Sequence, residues 1–278
     1  MSSDFGALLL RGIDRQIGLT ERLAAAVQDK RHPSSIDHPL RDLLAQRIYQ
    51  IAAGYADGND ANSLRHDPLF QLSVERPPLE PAQALASAPT FSRLAHSVDR
   101  QDLSRLTHAL VAHFMASSPE PPAAIVLDLD HSDDPTHGQQ AFAFYNHHYR
   151  SYGSVPLCIC EGTSHALVTA CLRPGPRPPG RENAMILGRL LAMRRRPWPQ
   201  PPILVRGDSP FATPEVVEVL AQRRGIDCGF GLAGNAVLLR QAAPIMQEAR
   251  GLSQQRTAQA QAHGERPPPS SRVYAECA

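Results

Sequence analysis

The chain has 278 residues, 42% hydrophobic and 20% charged, the balance of an ordinary globular protein with one large domain or two small ones. Its formal net charge of +1 excludes binding to nucleic acid through global charge, so such a role must rest on local patches. Five cysteines without a Cys-x-x-Cys pair argue against a zinc site and a secreted disulfide scaffold, no apolar run approaches the about 20 residues of a membrane span, and the start MSSDFGALLLRGIDR is no secretory signal; a cytoplasmic protein is expected.

Residues 5–29 read as helical, on an apolar face of Leu8, Leu9, Ile13, Ile17, Leu19, Leu23 and Val27, with Thr20 capping a fresh start. A second helix is predicted over 38–55, ended by Gly54. DGNDAN (57–62) is a turn-rich loop, and 63–70 starts another short helical piece. Residues 76–92 are rich in proline and alanine. Leu103, Leu106, Leu110, Val111 and Phe114 then make an amphipathic helix of 98–117. The first 117 residues are thus predicted to be all helical.

Beyond the linker SSPEPP (117–122) the pattern changes. AAIVLDLD (123–130) reads as a buried strand ending in acids. Strands follow over 140–149, 155–160 and 165–173, then a loop over 174–183 and a helix over 183–196. Next come the strand ILVRGD (203–208), a helix over 214–225 with Pro214 in its first turn, a strand over 226–233 and a Gln/Ala-rich helix over 235–262. HGERPPPSS (263–271) is predicted to be disordered. This order fits an α/β fold: a ribonuclease-H-like mixed sheet core, its first three strands antiparallel, preceded by an all-α N-terminal region. The expected divisions are 1–117, 123–262 and 263–278.

The acids at the strand ends carry the chemistry. Asp128 and Asp130 share one face of their strand by its period of two, and Asp208 ends a strand far away in sequence. Rigid strands that project carboxylates from their ends can gather hard oxygen ligands for magnesium, and paired ions can clamp both oxygens of a phosphoryl displacement. Asp133-Asp134-Pro135 reads instead as a turn. Charge is also divided. Six acids stand against Arg150 alone in 118–165, and ten arginines against four acids in 173–224, which suits a metal-dependent enzyme acting on a polyanion as well as it suits a solvated helix face. Arg173 and Arg206 read either as phosphate contacts or as partners of nearby acids, and His137 as a turn residue or a phosphate contact. Tyr145, Asn146 and Tyr149 read as cross-strand packing, and Trp198 as a surface anchor among prolines.

The segments DLDHSDDPTHGQQ (128–140), FYNHHYRSYGSVPL (144–157), ACLRPG (170–175), ILVRGDSPF (203–211) and CGFGLAGN (228–235) resemble, in this order, the DDE transposases of bacterial insertion sequences, closest to the IS-thirteen-eighty type. HPLRDLLAQRIYQIAAGYADGNDANSLRHDPLF (38–70) and LASAPTFSRL (85–94) extend the resemblance to nearly the whole chain. It implies a ribonuclease-H-like core and DNA cleavage and strand transfer at inverted-repeat element ends. It also implies Mg2+ (or Mn2+) as cofactor and a homodimer in a synaptic complex. The first catalytic aspartate falls on Asp130, with Asp128 as its rival, and the second on Asp208; all three are candidate metal ligands. DNA contacts are expected from Arg15, Arg41 and Arg47 in the N-terminal helices, joined by Arg11 and Arg22, and from Arg173, Arg206 and His137.

Two departures stand out. Ala95 and His96 replace an acid and an Asn of the family pattern. SSRVYAECA (270–278) is where the family opens a further stretch bearing a third catalytic glutamate, and Glu276 lies too early to be it. The expectation is a C-terminally truncated copy with impaired catalysis, or a non-catalytic fragment that competes for element ends.

Overall fold

The computed structural model describes residues 4–118, 120–138, 143–176, 179–195, 198, 201–266 and 271–275. Residues 4–230 form one unit and residues from 231 onward a second.

The first unit begins with helices. α1 (Gly6–Ile17) ends where Gly18 turns left-handed at φ 66°, and α2 (Leu19–Ala26) restarts at once. Thr20 does not cap this restart. Its amide and hydroxyl both donate to the buried Asp14 carboxylate, which also accepts from Tyr49 Oη at 2.8 Å. α3 (Leu40–Ala52), α4 (Asp60–Leu64), α5 (Pro68–Ser73) and α6 (Ala88–Ser97) follow. The start of α5 is fixed locally: Asp67 accepts from the amides of Leu69 and Phe70, and Pro68 takes the first helical position. Tyr49, Phe70, Val74 and Leu85 close a helical core with Ala7 and Ala45.

α7 (Arg100–Ala116) opens on a reciprocal capping box between Asp99 and Asp102. The chain's one lysine, Lys30, pairs with this box, 2.8 Å from Asp99 and 3.7 Å from Asp102. By packing, α7 belongs to the strand-rich half of the unit. Val111 and Phe114 lie in the core of the sheet rather than in the helical core.

β1 (Ile125–His131) is followed by β2 (Asp134–Pro135), β3 (Phe144–Asn146), β4 (Ser151–Ser154), β5 (Leu157–Glu161) and β6 (Leu167–Cys171), then α8 (Gly180–Arg195), β7 (Ile203–Gly207), α9 (Pro214–Ala221) and β8 (Ile226–Phe230). The main sheet has the order β6-β5-β1-β7-β8. β1, β5 and β6 are antiparallel neighbours, and β7 and β8 run parallel to β1, reached through helical connections. This is the ribonuclease-H-like arrangement expected from the sequence, with one correction. The predicted strand over 140–149 is no part of it: of its described residues, 144–146 form β3, which joins β2 and β4 in a separate three-stranded sheet. Residues 140–142 lie outside the described residues. In β3, Phe144 and Tyr145 remain exposed.

One face of the main sheet is apolar. Leu127, Leu129, Leu157, Ile159, Ile203 and Val205 pack against Leu187, Leu190 and Leu191 of α8, Val216 and Leu220 of α9, and the two α7 residues. Trp198 is not a surface anchor: it is buried, edge-on to Phe114 with ring centres 6.1 Å apart. The second unit holds α10 (Ala236–Ala262), opened by Asn235, whose side chain accepts from the amides of Val237 and Leu238.

Candidate active site

Alternation along the strands puts the acids on the face opposite the helices. Leu127 and Leu129 are buried, so Asp128 and Asp130 point the other way. On β7, Val205 is buried and Arg206 is exposed by the same rule. The parallel register pairs Asp128 with Arg206 and Leu129 with Gly207. Asp130 and Asp208 are the residues that follow the last registered pair, Leu129 and Gly207, at the same end of the two strands. The antiparallel register on the other side pairs Asp128 with Cys160 and Asp130 with Cys158. Two rows thus cross the face: Cys160, Asp128, Arg206, and at its edge Cys158, Asp130, Asp208.

The rows differ in chemistry. In the first, Arg206 Nε and Nη2 donate to Asp128 Oδ1 and Oδ2 at 2.6 and 2.7 Å, a bidentate pair that occupies both carboxylate oxygens. Gly162 lies against it. A methyl group there would sit 2.6 Å from Arg206 Nη2, 2.7 Å from Asp128 Oδ2 and 2.8 Å from Val126 Cγ1. The turn that carries Gly162 is pinned by buried Glu161, which accepts from the amides of Val126, Thr163 and Ser164 and from the Ser164 hydroxyl. Burial alone would raise the Glu161 pKa; those donors outweigh it and hold the carboxyl below its usual range.

In the second row, Asp130 and Asp208 are both exposed, and neither carboxylate forms a hydrogen bond or ion pair among the described residues. Both lie close enough to influence the same two neighbours. His131, half-buried, is pushed down by burial and then by Arg173, against the opposing pull of Asp208 and Asp130. Tyr149 is pushed up by burial and then by Asp130, Asp133 and Asp208. The Cys158 thiol is raised by burial, then by Cys160 and Asp130, and the Cys160 thiol by burial, then by Asp128 and Asp130, so both stay protonated near neutral pH. The ends of β1 and β7 are also tied together by rings. His131 stacks on buried Phe211 at 4.5 Å with planes 3° apart, and Gly207 has no room for a side chain beside that phenyl ring.

Sequence reasoning missed Gly162, the Cys158/Cys160 pair and the His131–Phe211 stack. The cysteines were legible, since Cys-x-Cys in a strand puts both on one face. A glycine against an ion pair and a stack across 80 residues leave no local signal.

The positively charged candidates are largely engaged within the protein. Arg15 donates to Glu75 at 2.7 Å while remaining half-exposed. Arg41 lies 3.5 Å from Asp42 and 3.9 Å from Glu75. Arg47 closes the loop after α3 through the carbonyls of Tyr55, Ala56 and Asp57. Arg173 is a correction. It is 3% exposed, and its Nε and Nη2 reach Glu182 at 2.9 and 2.6 Å, so of its two readings the structure shows the pair with a nearby acid, at the start of α8. Arg206 pairs with Asp128, not with an acid of its own strand. His137 is exposed at a turn whose Gly138 has φ 92°. Glu276 lies outside the described residues. Among the described residues, no three His, Cys, Asp or Glu side chains gather as a metal site, and no helix is long and apolar enough to cross a membrane.

No curated protein matches the chain. Among solved structures, it is similar to a piggyBac transposase in a synaptic complex with hairpin DNA, at 15% identity and a TM-score of 0.40 over 84% of this chain. The chain spans about half of that protein, 52% of its length. A family model described as Transposase DDE domain group 1 matches residues 1–277, and the chain belongs to that family.

Proposed function

We propose that this protein binds the ends of a mobile DNA element and acts in cleavage and transfer of DNA strands there, with Asp130 and Asp208 as its metal-binding acids. One observation supports the reading: the residues after the last registered pair of β1 and β7 are two exposed aspartates without a protein partner among the described residues, while the next acid inward is held by an arginine. Family membership gives that pair its chemistry.

The donor set fits Mg2+ (or Mn2+). Magnesium is typically held by one or two carboxylates together with water and phosphate oxygens. When bound, it supplies charge stabilisation to a phosphoryl displacement. The chain's own residues do the rest. Asp130 and Asp208 hold the cation at the sheet edge. The His131–Phe211 stack fixes the spacing of the two strand ends, and Arg206 keeps Asp128 out of the metal shell. A neutral His131 adds no positive charge to compete with the cation. The protein is read as cytoplasmic, acting on inverted-repeat DNA as a homodimer, with exposed cationic groups such as Arg15 near the duplex.

A second reading has a specific observation in its favour. Among the described residues no three His, Cys, Asp or Glu side chains gather to hold a metal, so a protein that occupies element ends without cutting them also fits. The test is nicking of labelled duplexes drawn from the DNA flanking the coding sequence, with Mg2+ or Mn2+ and with EDTA. Metal-dependent nicking lost in Asp130→Asn and in Asp208→Asn supports the catalytic reading. Salt-sensitive, sequence-selective binding without nicking supports the second. Nicking that survives both substitutions overturns the assignment.

A further inference from the structure

We propose that the hairpin of β3 and β4 is a binding site for unpaired DNA bases, placed beside the acids; this rests on the reading of Asp130 and Asp208 as the place of strand chemistry. Aromatic residues make up only 5% of the chain, yet three of its six tyrosines fall within 145–152. None of them serves either core. Tyr145 and Tyr152 are directly opposed across the two strands, with ring centres 5.2 Å apart at 63°. His147 joins them edge-on at 5.1 Å from Tyr145. Tyr152 is 63% exposed and Tyr145 41%, so ring faces stand open to solvent where apolar surface is normally withdrawn.

The platform is held firmly. Asn146 Oδ1 accepts from the amides of His148 and Tyr149, and its Nδ2 donates to the Gly175 carbonyl at 2.8 Å. Gly153 passes so close to the Asp134 carbonyl that no side chain fits there. Tyr149 Oη donates to the carbonyl of His131, the residue after Asp130, which fastens the hairpin turn to the strand end bearing that acid.

The chemistry of the face selects its occupant. Residues 143–154 carry Arg150 and two histidines, while Asp134 pairs with Ser154 and Asp133 accepts from Ser151 Oγ on the neighbouring strand, so the open rings rather than net charge select the occupant. Open tyrosine and histidine rings stack on any base, but only on one that has left the duplex stack. Strand cleavage at Asp130 and Asp208 releases such an end within reach of the hairpin.

The test uses the full chain in EDTA, so that its readout does not depend on the acids. A single strand of about 12 nucleotides containing 2-aminopurine, and the same strand as a duplex, are titrated at one salt concentration. The single strand is expected to bind more tightly than the duplex, with a change in 2-aminopurine fluorescence. Tyr145→Ala/Tyr152→Ala is expected to weaken it by about tenfold or more with unchanged circular dichroism, and Tyr145→Phe/Tyr152→Phe to leave it nearly intact. Tighter duplex binding, an unaffected alanine variant, or a phenylalanine variant as weak as the alanine one would each overturn the proposal. Loss of nicking with tyrosine-dependent binding intact counts against the acid assignment and not against the hairpin. Nicking without single-strand binding counts against the hairpin alone.

Discussion

Arg206 grips both carboxylate oxygens of Asp128 from the neighbouring parallel strand, and Asp130, two residues on, has no such partner among the described residues. This contrast separates two acids that the sequence leaves as rivals, and it has a direct consequence for metal affinity. Asp130→Asn should weaken Mn2+ binding by about tenfold or more, as loss of a direct ligand does, whereas Asp128→Asn should leave it close to the starting value. Titration of Mn2+ by paramagnetic resonance reads both. Equal losses in the two variants would place Asp128 in the metal shell after all. The pair itself is exposed, so breaking it should change thermal stability little.

Gly162 gives an independent handle on the same contact. Its methyl-bearing variant, Gly162→Ala, pushes on the ends of Asp128 and Arg206 and on Val126 Cγ1, and the first two are the ones free to swing away, so the pair should part. Gly162→Ala and Asp128→Asn then remove one interaction between them. Thermal melts of all four proteins should show small losses, with Gly162→Ala costing less in the Asp128→Asn background than in the unsubstituted protein. An undiminished cost there would show that Gly162 does not bear on the pair.

Acid should weaken the fold through carboxylates held ionised by hydrogen bonds. Burial alone would raise the Asp14 pKa, but hydrogen bonds from Thr20 and Tyr49 hold it below the usual carboxylate value. In Asp102 the backbone amides of Gln28 and Asp99 depress it further. A depressed folded-state pKa contributes stability that is complete above the unfolded value, near 4, and is lost as pH falls through the folded one. Melting temperature should therefore drop as pH is lowered from about 5 toward 2, with a shallower drop in Asp14→Asn. Asp14→Ala at neutral pH strands the Thr20 and Tyr49 donors and should cost about 2 kcal/mol, readable by urea unfolding.

Arg173 separates structure from DNA contact. Glu182→Ala leaves its buried guanidinium without an ion partner and should destabilise the protein by about 3 kcal/mol. At temperatures where the variant is still folded, the salt dependence of DNA binding should keep its slope. A steeper slope would mean that the freed Arg173 reaches phosphate.

Much of this architecture is written locally in the chain. Short apolar runs that stop at Asp130 and Asp208 announce strands ending in acids, and the helical stretch between β7 and β8 announces the parallel crossover. What stayed hidden depended on partners distant in sequence. The burial of Arg173 is one such case, because its reading as the partner of a nearby acid does not by itself say that the pair is covered. Trp198 looked exposed because prolines surround it, while its partner Phe114 is 84 residues away. The β3–β4 hairpin had strand composition but no apolar face, so its separation from the main sheet could not be read from alternation alone.

Because α7 contributes Val111 and Phe114 to the interior beneath the sheet, a cut in the linker after residue 117 would strip Trp198 and the α8 leucines of their cover. The helical front end is therefore no interchangeable cassette. A recombinant fragment that starts at residue 118 should expose that greasy floor and precipitate, and chimaeras that borrow another protein's leading helices will need to bring along, or retain, the seventeen residues of α7.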